Sequence, residues 1–195
     1  MLTPEDRRRT AYHEAGHALV GMMTPGSDPV RKVSIVPRGQ ALGVTLSSPD
    51  VDRFNYSRAD LEARVRMTLG GRAAEEVVFG DQTTGAEGDI AQVTALVRQM
   101  VGRWGMSDKV GVVAVLPRDG ANPWGEVTSP RTLEILDEEV RRTVEAAYSD
   151  VVALLTVERP RLDALVEALL DRETLDQIDA YRIAGLAEPA PFAVD

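Results

Sequence analysis

His13 and His17 are the only histidines in the 195-residue chain, and they stand four positions apart with Glu14 directly after the first. In a helix four residues make just over one turn, so both imidazoles project from one face and can grip a single zinc ion. Glu14 is displaced by about 100° from His13, which sets its carboxylate beside the place of a zinc-bound water. Zinc brings the pKa of such a water toward ~7; a neighbouring carboxylate can then take its proton, deliver hydroxide to a carbonyl, and later protonate the leaving amine. The same H-E-x-x-H pattern occurs by chance in helices that hold no metal. Here, however, it uses every histidine present. Two histidines placed at random fall four apart about once in 100 cases, and the glutamate reduces this to roughly one in 1,000. Zinc-dependent hydrolysis is the chemistry these residues point to.

A catalytic zinc ordinarily takes three protein ligands and a water. Cysteine is absent and histidine exhausted, so the third ligand must be one of the 31 carboxylates. Asp89 is in helical phase with Val93, Leu96 and Met100, which puts a charge on an apolar face, and a buried carboxylate is costly unless paired or metal-bound. Its simpler role would be to cap that helix. Glu76 is the rival, following Leu61, Val65, Leu69 and Ala73, and its simpler role is a salt bridge to Arg72. Spacing leaves both open. The extended H-E-x-x-H-x-x-G-x-x-H form is excluded, because positions 20 and 23 hold Val20 and Met23. A deformylase-type site would need cysteine. A zincin completed by a carboxylate remains.

Composition narrows the partners. The formal charge of −9 argues against nucleic-acid binding, which needs a positive surface to displace phosphate counterions. Lys32 and Lys109 are the only lysines and both precede valine, so no GxxxxGK[ST] phosphate loop exists and no nucleotide is expected on this chain. No apolar run approaches the ~20 residues of a membrane span. The start, with Pro4, Glu5, Asp6 and three arginines, does not read as a secretory signal. The chain by itself is expected to be soluble.

The positioning elements follow from caps and periodicity. Thr3-Pro4 opens a first helix through Ala11, Ala15, Ala18, Leu19 and Met22, ended by Thr24-Pro25-Gly26. Val30 to Val36 and Gly43 to Leu46 read as two strands of a hairpin around Pro37-Arg38-Gly39. Ser57 with Asp60 opens a second helix in which Gly70-Gly71 implies a close packing contact or a kink, and Gly80 closes it. The loop from Thr83 to Gly88 leads to a third helix over about 89–104. A strand at 112–116 and a mobile loop at 117–127 follow. Ser129-Pro130 starts a long helix, Pro160 a short one, and Thr174 with Gln177 forms a capping box for the last, ended by Gly185. The fold class is mainly α with a small β-sheet. A peptidase-type unit covers 1–186, with the sheet and zinc site in about 8–127 and a helical bundle in about 129–185. Residues 187–195 form a frayed tail.

The chain closely resembles the peptidase domain of the FtsH family, the membrane-anchored, ATP-dependent zinc metalloproteases of bacteria, mitochondria and chloroplasts. The resemblance covers nearly all of residues 8–184. It is carried by Ala11-Tyr12-His13-Glu14-Ala15-Gly16-His17-Ala18, Lys32-Val33-Ser34-Ile35-Val36-Pro37-Arg38-Gly39 and Ala41-Leu42-Gly43-Val44-Thr45. Further blocks are Gly70-Gly71-Arg72-Ala73-Ala74-Glu75-Glu76, Thr84-Gly85-Ala86 with Asp89-Ile90, and Trp104-Gly105-Met106-Ser107. It implies one Zn2+ per chain held by His13, His17 and Asp89, with Glu14 as general base and Glu76 in a structural or supporting role. It also implies a homohexameric ring, an attached ATPase domain and transmembrane segment, unfolded or misfolded polypeptide substrates, and a place at the cytoplasmic face of the bacterial inner membrane. Because Asp6 to Thr10 reads like the linker before such a domain, an excised domain is expected rather than a separate paralogue. An inactive ring-forming assembly module with the same fold is the alternative reading; the intact His13, Glu14, His17 and Asp89 favour the enzyme.

A protease accepting many sequences must bind main-chain groups, and adding the substrate as a strand at a sheet edge does so. Val33–Val36 or Gly43–Leu46 could supply that edge. Gly39-Gln40 and the loops 83–88 and 117–127 are candidates for movement around the cleft. Trp104 and Trp124 suit packing, and no residue is singled out for the oxyanion because there is no third histidine.

Overall fold

The computed structural model describes residues 3–37, 43–49, 55–116 and 128–189. Its helices are α1 (Pro4–Met23), α2 (Arg58–Phe79), α3 (Glu87–Gly102), α4 (Pro130–Val157), α5 (Arg159–Arg172) and α6 (Gln177–Ala184). Its strands are β1 (Val30–Ser34), β2 (Val44–Ser47) and β3 (Thr174–Asp176), and a short 3-10 turn covers Thr84–Ala86. The chain is mainly helical with one small antiparallel sheet, as the sequence indicates. Gly39-Gln40, the loop 117–127 with Trp124, and residues 190–195 lie outside the described residues.

Three helix starts form where hydroxyl caps place them. Thr3 with Asp6 and Ser57 with Asp60 make reciprocal capping boxes, and Ser129 accepts from the Thr132 amide ahead of Pro130. α2 runs unbroken through Gly70-Gly71, and both glycines lie against α1. A Cβ on Gly16 would lie 2.3 Å from the Gly70 carbonyl oxygen, and one on Gly70 would lie 2.5 Å from the Gly16 carbonyl oxygen. The two backbones therefore touch where α1 carries His13, Glu14 and His17. Gly16→Ala is expected to cost about 3 kcal/mol through overpacking against backbone. Gly88→Ala, which meets open space on α3, should be neutral or stabilising by up to ~1 kcal/mol. Urea unfolding midpoints of the two variants measure the contrast.

The sheet departs from the sequence expectation in having a third strand. Its order is β2-β1-β3, with Val33 opposite Thr45 on one side and Leu175 on the other. Thr174 and Gln177, read as a capping box, do not form one. Asp176 caps α6 by accepting from the Asp179 amide, and Thr174–Asp176 pairs with β1. Glu173, with φ of 62°, reverses the chain after α5; Leu175 then enters the core and Thr174 Oγ1 meets Ser34 Oγ at 2.8 Å. The sheet thus extends beyond the 8–127 stretch assigned to it. The other correction concerns 112–116, which is not a strand. It lies over the end of α3, where the Val115 and Leu116 amides donate to the Gly102 carbonyl, and Val112 is 95% exposed. With no strand beside it among the described residues to supply a ladder, its β-branched residues remain irregular.

Two apolar clusters form the interior. One joins α1, β1, β3, α5 and α6 around Leu19, Val33, Leu165 and Leu175; the other joins the first half of α2 to α3 and α4 around Leu69, Val97 and Leu136. α2 contributes to both, with Ala73 and Ala74 in the first and Leu61, Val65 and Leu69 in the second. Among the described residues no helix is long and apolar enough to cross a membrane.

Candidate metal centre

The α1–α2 crossing sets the site. A Cβ on Gly71 would fall 2.5 Å from His17 Nε2 and 2.6 Å from His13 Nε2, so glycine is what gives both rings their room. His13 Nδ1 lies 2.8 Å from Glu75 Oε1, and His17 Nδ1 lies 2.9 Å from the Met67 carbonyl oxygen. Glu75 and the Met67 carbonyl can only accept, so Nδ1 donates to them and Nε2 is turned to the common side; the Gly71 amide also faces His17 Nδ1, at the longer distance of 3.3 Å. The two Nε2 atoms are 3.0 Å apart.

Asp89, in the first turn of α3, brings Oδ2 to 3.1 Å from His13 Nε2 and 3.3 Å from His17 Nε2. One ligand-capable atom from each of these three residues lies within 4.8 Å of the others, a nitrogen and oxygen donor set of the kind zinc takes. Asp89 is not the cap of its helix; that position is Ala86, without a side-chain cap bond. Glu76 points elsewhere, accepting from the Tyr148 hydroxyl at 2.6 Å and from Gln82 Nε2 at 2.7 Å. Arg72 donates to Gln82 Oε1 rather than forming the anticipated bridge.

Glu75 is the residue that sequence reasoning passed over. It is almost fully buried, and its second oxygen accepts from the Thr83 hydroxyl at 2.9 Å and the Thr83 amide at 3.2 Å. A metal-binding imidazole needs an acceptor for its other N–H, and a glutamate one turn beyond Gly71, next to two buried alanines, was the available signal.

Glu14 is buried beside the pair. The Thr45 hydroxyl on β2 is 2.8 Å from Glu14 Oε2 and 3.0 Å from the Glu14 carbonyl oxygen. Burial pushes the Glu14 carboxyl up, against the pull of His17 and Thr45. For His13, burial works to lower the pKa, but hydrogen bonds to Asp89 and Glu75 and the charges of Glu14 and Asp89 outweigh it and raise it to about 9. Burial likewise opposes ionisation of Asp89, yet the hydrogen bonds and charges of His13 and His17 hold its carboxyl well below the usual carboxylate range. Glu75 is lowered too, its burial outweighed by His13 and Thr83.

These shifts fix the pH response of the chain with no metal added. A raised imidazole stabilises the fold fully below its unfolded value of 6.5, and that stability is lost as pH climbs through about 9. Lowered carboxyls act in the opposite sense: they stabilise above their unfolded values of 3.8 and 4.5 and lose that as pH falls through their folded values. The urea midpoint should therefore decline between pH 6.5 and about 9, and His13→Asn should flatten that decline.

The cluster opens into a cleft of about 1130 Å³ whose walls include Thr10, Val44, Leu46, Met67, Thr84 and Gln92. The cleft brings a nitrogen and oxygen donor set together with the buried Glu14 carboxylate. Residues 1–183 match the sequence model of Peptidase family M41. The chain belongs to peptidase family M41. It is similar to the ATP-dependent zinc metalloprotease FtsH 3 of Conexibacter woesei, at 58% identity over all of this chain and 26% of that protein. It is 50% identical to the ATP-dependent zinc metalloprotease FtsH of Thermobaculum terrenum, over 98% of this chain and 30% of the relative. A third relative, the FtsH of Syntrophus aciditrophicus, is 48% identical over 98% of this chain and 27% of its own length. The M41 chain thus spans well under a third of the length of these relatives. Its site is assembled from α1, α2, α3 and β2, four stretches spread over residues 13–89.

Proposed function

We propose that this M41 chain is the peptide-bond-cleaving part of an FtsH-like, ATP-dependent zinc metalloprotease. The observation that carries the reading is the convergence of His13 Nε2, His17 Nε2 and Asp89 Oδ2 beside the Glu14 carboxylate. His13, His17 and Asp89 are assigned as the ligands of one Zn2+ per chain, and Gly71 is the position that leaves space for it. Zinc, when bound, supplies Lewis acidity that acidifies a water and polarises a peptide carbonyl.

The remaining chemistry is the chain's own. Glu14 accepts the proton of the attacking water and returns it to the leaving amine. Glu75 holds His13 in the tautomer that offers Nε2, while the Met67 carbonyl does the same for His17. β2 is the outer strand of the sheet on the cleft side, whereas β1, the other candidate edge, is central and paired on both sides. An extended polypeptide adding to β2 would present its main chain to the site largely regardless of sequence.

The substrates in this reading are unfolded, misfolded or membrane polypeptides, fed by an ATPase domain elsewhere in the full-length protein. That protein would be a homohexamer held by its transmembrane segment at the cytoplasmic face of the bacterial inner membrane. The deciding experiment combines elemental zinc analysis with cleavage of an unfolded casein. One zinc per chain, loss of cleavage on chelation and its return with added zinc are expected; Asp89→Ala, which removes a ligand, should lower zinc affinity by more than the roughly 10- to 100-fold typical of losing an outer partner. A chain that binds no zinc and does not cleave would instead be an assembly module, and one that cleaves equally after chelation would not be a zinc enzyme.

A further inference from the structure

We propose that Gly43 and Thr45 on the β2 segment are positioning residues for Glu14, with the Thr45 hydroxyl as the donor that holds its carboxylate in place. The inference rests on the reading of Glu14 as general base. A carboxylate on an α-helix has three rotatable side-chain bonds, and a base that wanders by an ångström loses much of its effect on the reacting water. His13 and His17 on α1 attract its charge, but among the described residues the hydrogen bond to Glu14 Oε2 comes from Thr45 Oγ1, at 2.8 Å, on a different element.

Gly43 closes the other side. A Cβ there would lie 2.7 Å from Glu14 Oε1, 2.7 Å from Cγ and 2.9 Å from the carboxyl carbon, so the main chain at residue 43 is packed directly on the carboxylate. One oxygen is thus held by a hydroxyl while the other lies against backbone without a side chain between. Thr45 is in turn fixed by the sheet, its Cα paired with Val33 of the central strand. Its hydroxyl also reaches the Glu14 carbonyl oxygen at 3.0 Å, so the threonine tracks the helix as well as the side chain.

This arrangement makes β2 serve twice. Its outer edge faces the cleft, where a polypeptide would pair, and one of its side chains sets the base. Alternate residues of a strand point to opposite sides, so a one-residue slip of β2 would remove the hydroxyl from Glu14 altogether. The register of substrate and base is thereby tied to one strand.

The test uses the zinc-loaded chain and a quenched fluorescent peptide. Thr45→Val should lower kcat by roughly 10- to 100-fold with KM within about twofold and zinc content unchanged, and Thr45→Ser should recover kcat to within about threefold. Gly43→Ala should also act on kcat. A second readout needs no activity: in the chain without metal, the carbon-NMR carboxyl resonance of Glu14 should move in Thr45→Val and return in Thr45→Ser. Wild-type kcat in Thr45→Val, a Thr45→Ser no better than Thr45→Val, or a loss confined to KM each overturns the proposal. Glu14→Gln separates the two readings. If it cleaves like wild type, the base assignment fails; if it is inactive while Thr45→Val is unimpaired, the positioning role alone fails.

Discussion

Gly71→Ala is expected to strip the chain of zinc, although residue 71 has no side chain and donates nothing to a metal. The methyl group would sit 2.5 Å from His17 Nε2 and 2.6 Å from both Cε1 and Nε2 of His13. Neither ring can retreat cheaply. His13 is tethered through Nδ1 to buried Glu75, and His17 through Nδ1 to the Met67 carbonyl. α2 could recede only by giving up the Gly16–Gly70 backbone contact one residue away. The rings must therefore rotate and lose their convergence, with zinc affinity falling by roughly 100-fold or more and cleavage with it. Competition titration against a chromophoric chelator measures the affinity. Unfolding in urea without metal should show a smaller defect than Gly16→Ala, because imidazoles yield more readily than a carbonyl on a helix. Retention of wild-type zinc affinity would mean that the rings bind metal from some other arrangement.

Glu14→Gln carries the largest effect on turnover. The amide keeps the shape of the carboxylate and can still accept from the Thr45 hydroxyl at the position of Oε2, but it cannot take a proton from water near neutral pH. Cleavage should fall by roughly 100- to 10,000-fold. Zinc content should stay at the wild-type level, since Glu14 is not among the three converging donors. Stability without metal should hold or rise, because burial disfavours the charged carboxylate. The pair of measurements is what discriminates: loss of both zinc and activity would point to a disturbed site, and full activity would remove Glu14 from the mechanism.

Much of this site is readable in one dimension because its core obeys helical periodicity. His13, Glu14 and His17 fall within little more than one turn, and the cap at Thr3 predicts that turn to be helical, as found. Asp89 is legible only in part. Its phase with Val93 and Met100 puts it toward the interior, but phase does not say which interior point it faces, and Glu76 satisfies the same criterion on its own helix. The difference is made by Tyr148 of α4 and Gln82 after α2, which engage Glu76 on another side. Glu75 and Thr45 were hidden for the same reason, since each acts across a gap of tens of residues to α1. The third strand escaped because Thr174–Asp176 is only three residues long, and so short a segment has no periodicity to detect. At 112–116 the opposite error arose: valines favour extended structure, but a strand exists only where another strand offers a ladder.

The sequence by itself points to the chemistry. Lacking cysteine and holding two histidines one turn apart, the chain has a nitrogen pair and a carboxylate set as its only ready donors for zinc, with Glu14 one position from the first. The tertiary structure shows which carboxylate lies beside the two imidazoles, which acceptors orient them, and which strand lies against Glu14. Helical spacing is a local property fixed by backbone geometry, whereas the meeting of α1 with α2, α3 and β2 depends on how closely their backbones can approach. That approach is set by Gly16, Gly70, Gly71 and Gly43, residues whose contribution is the space they leave.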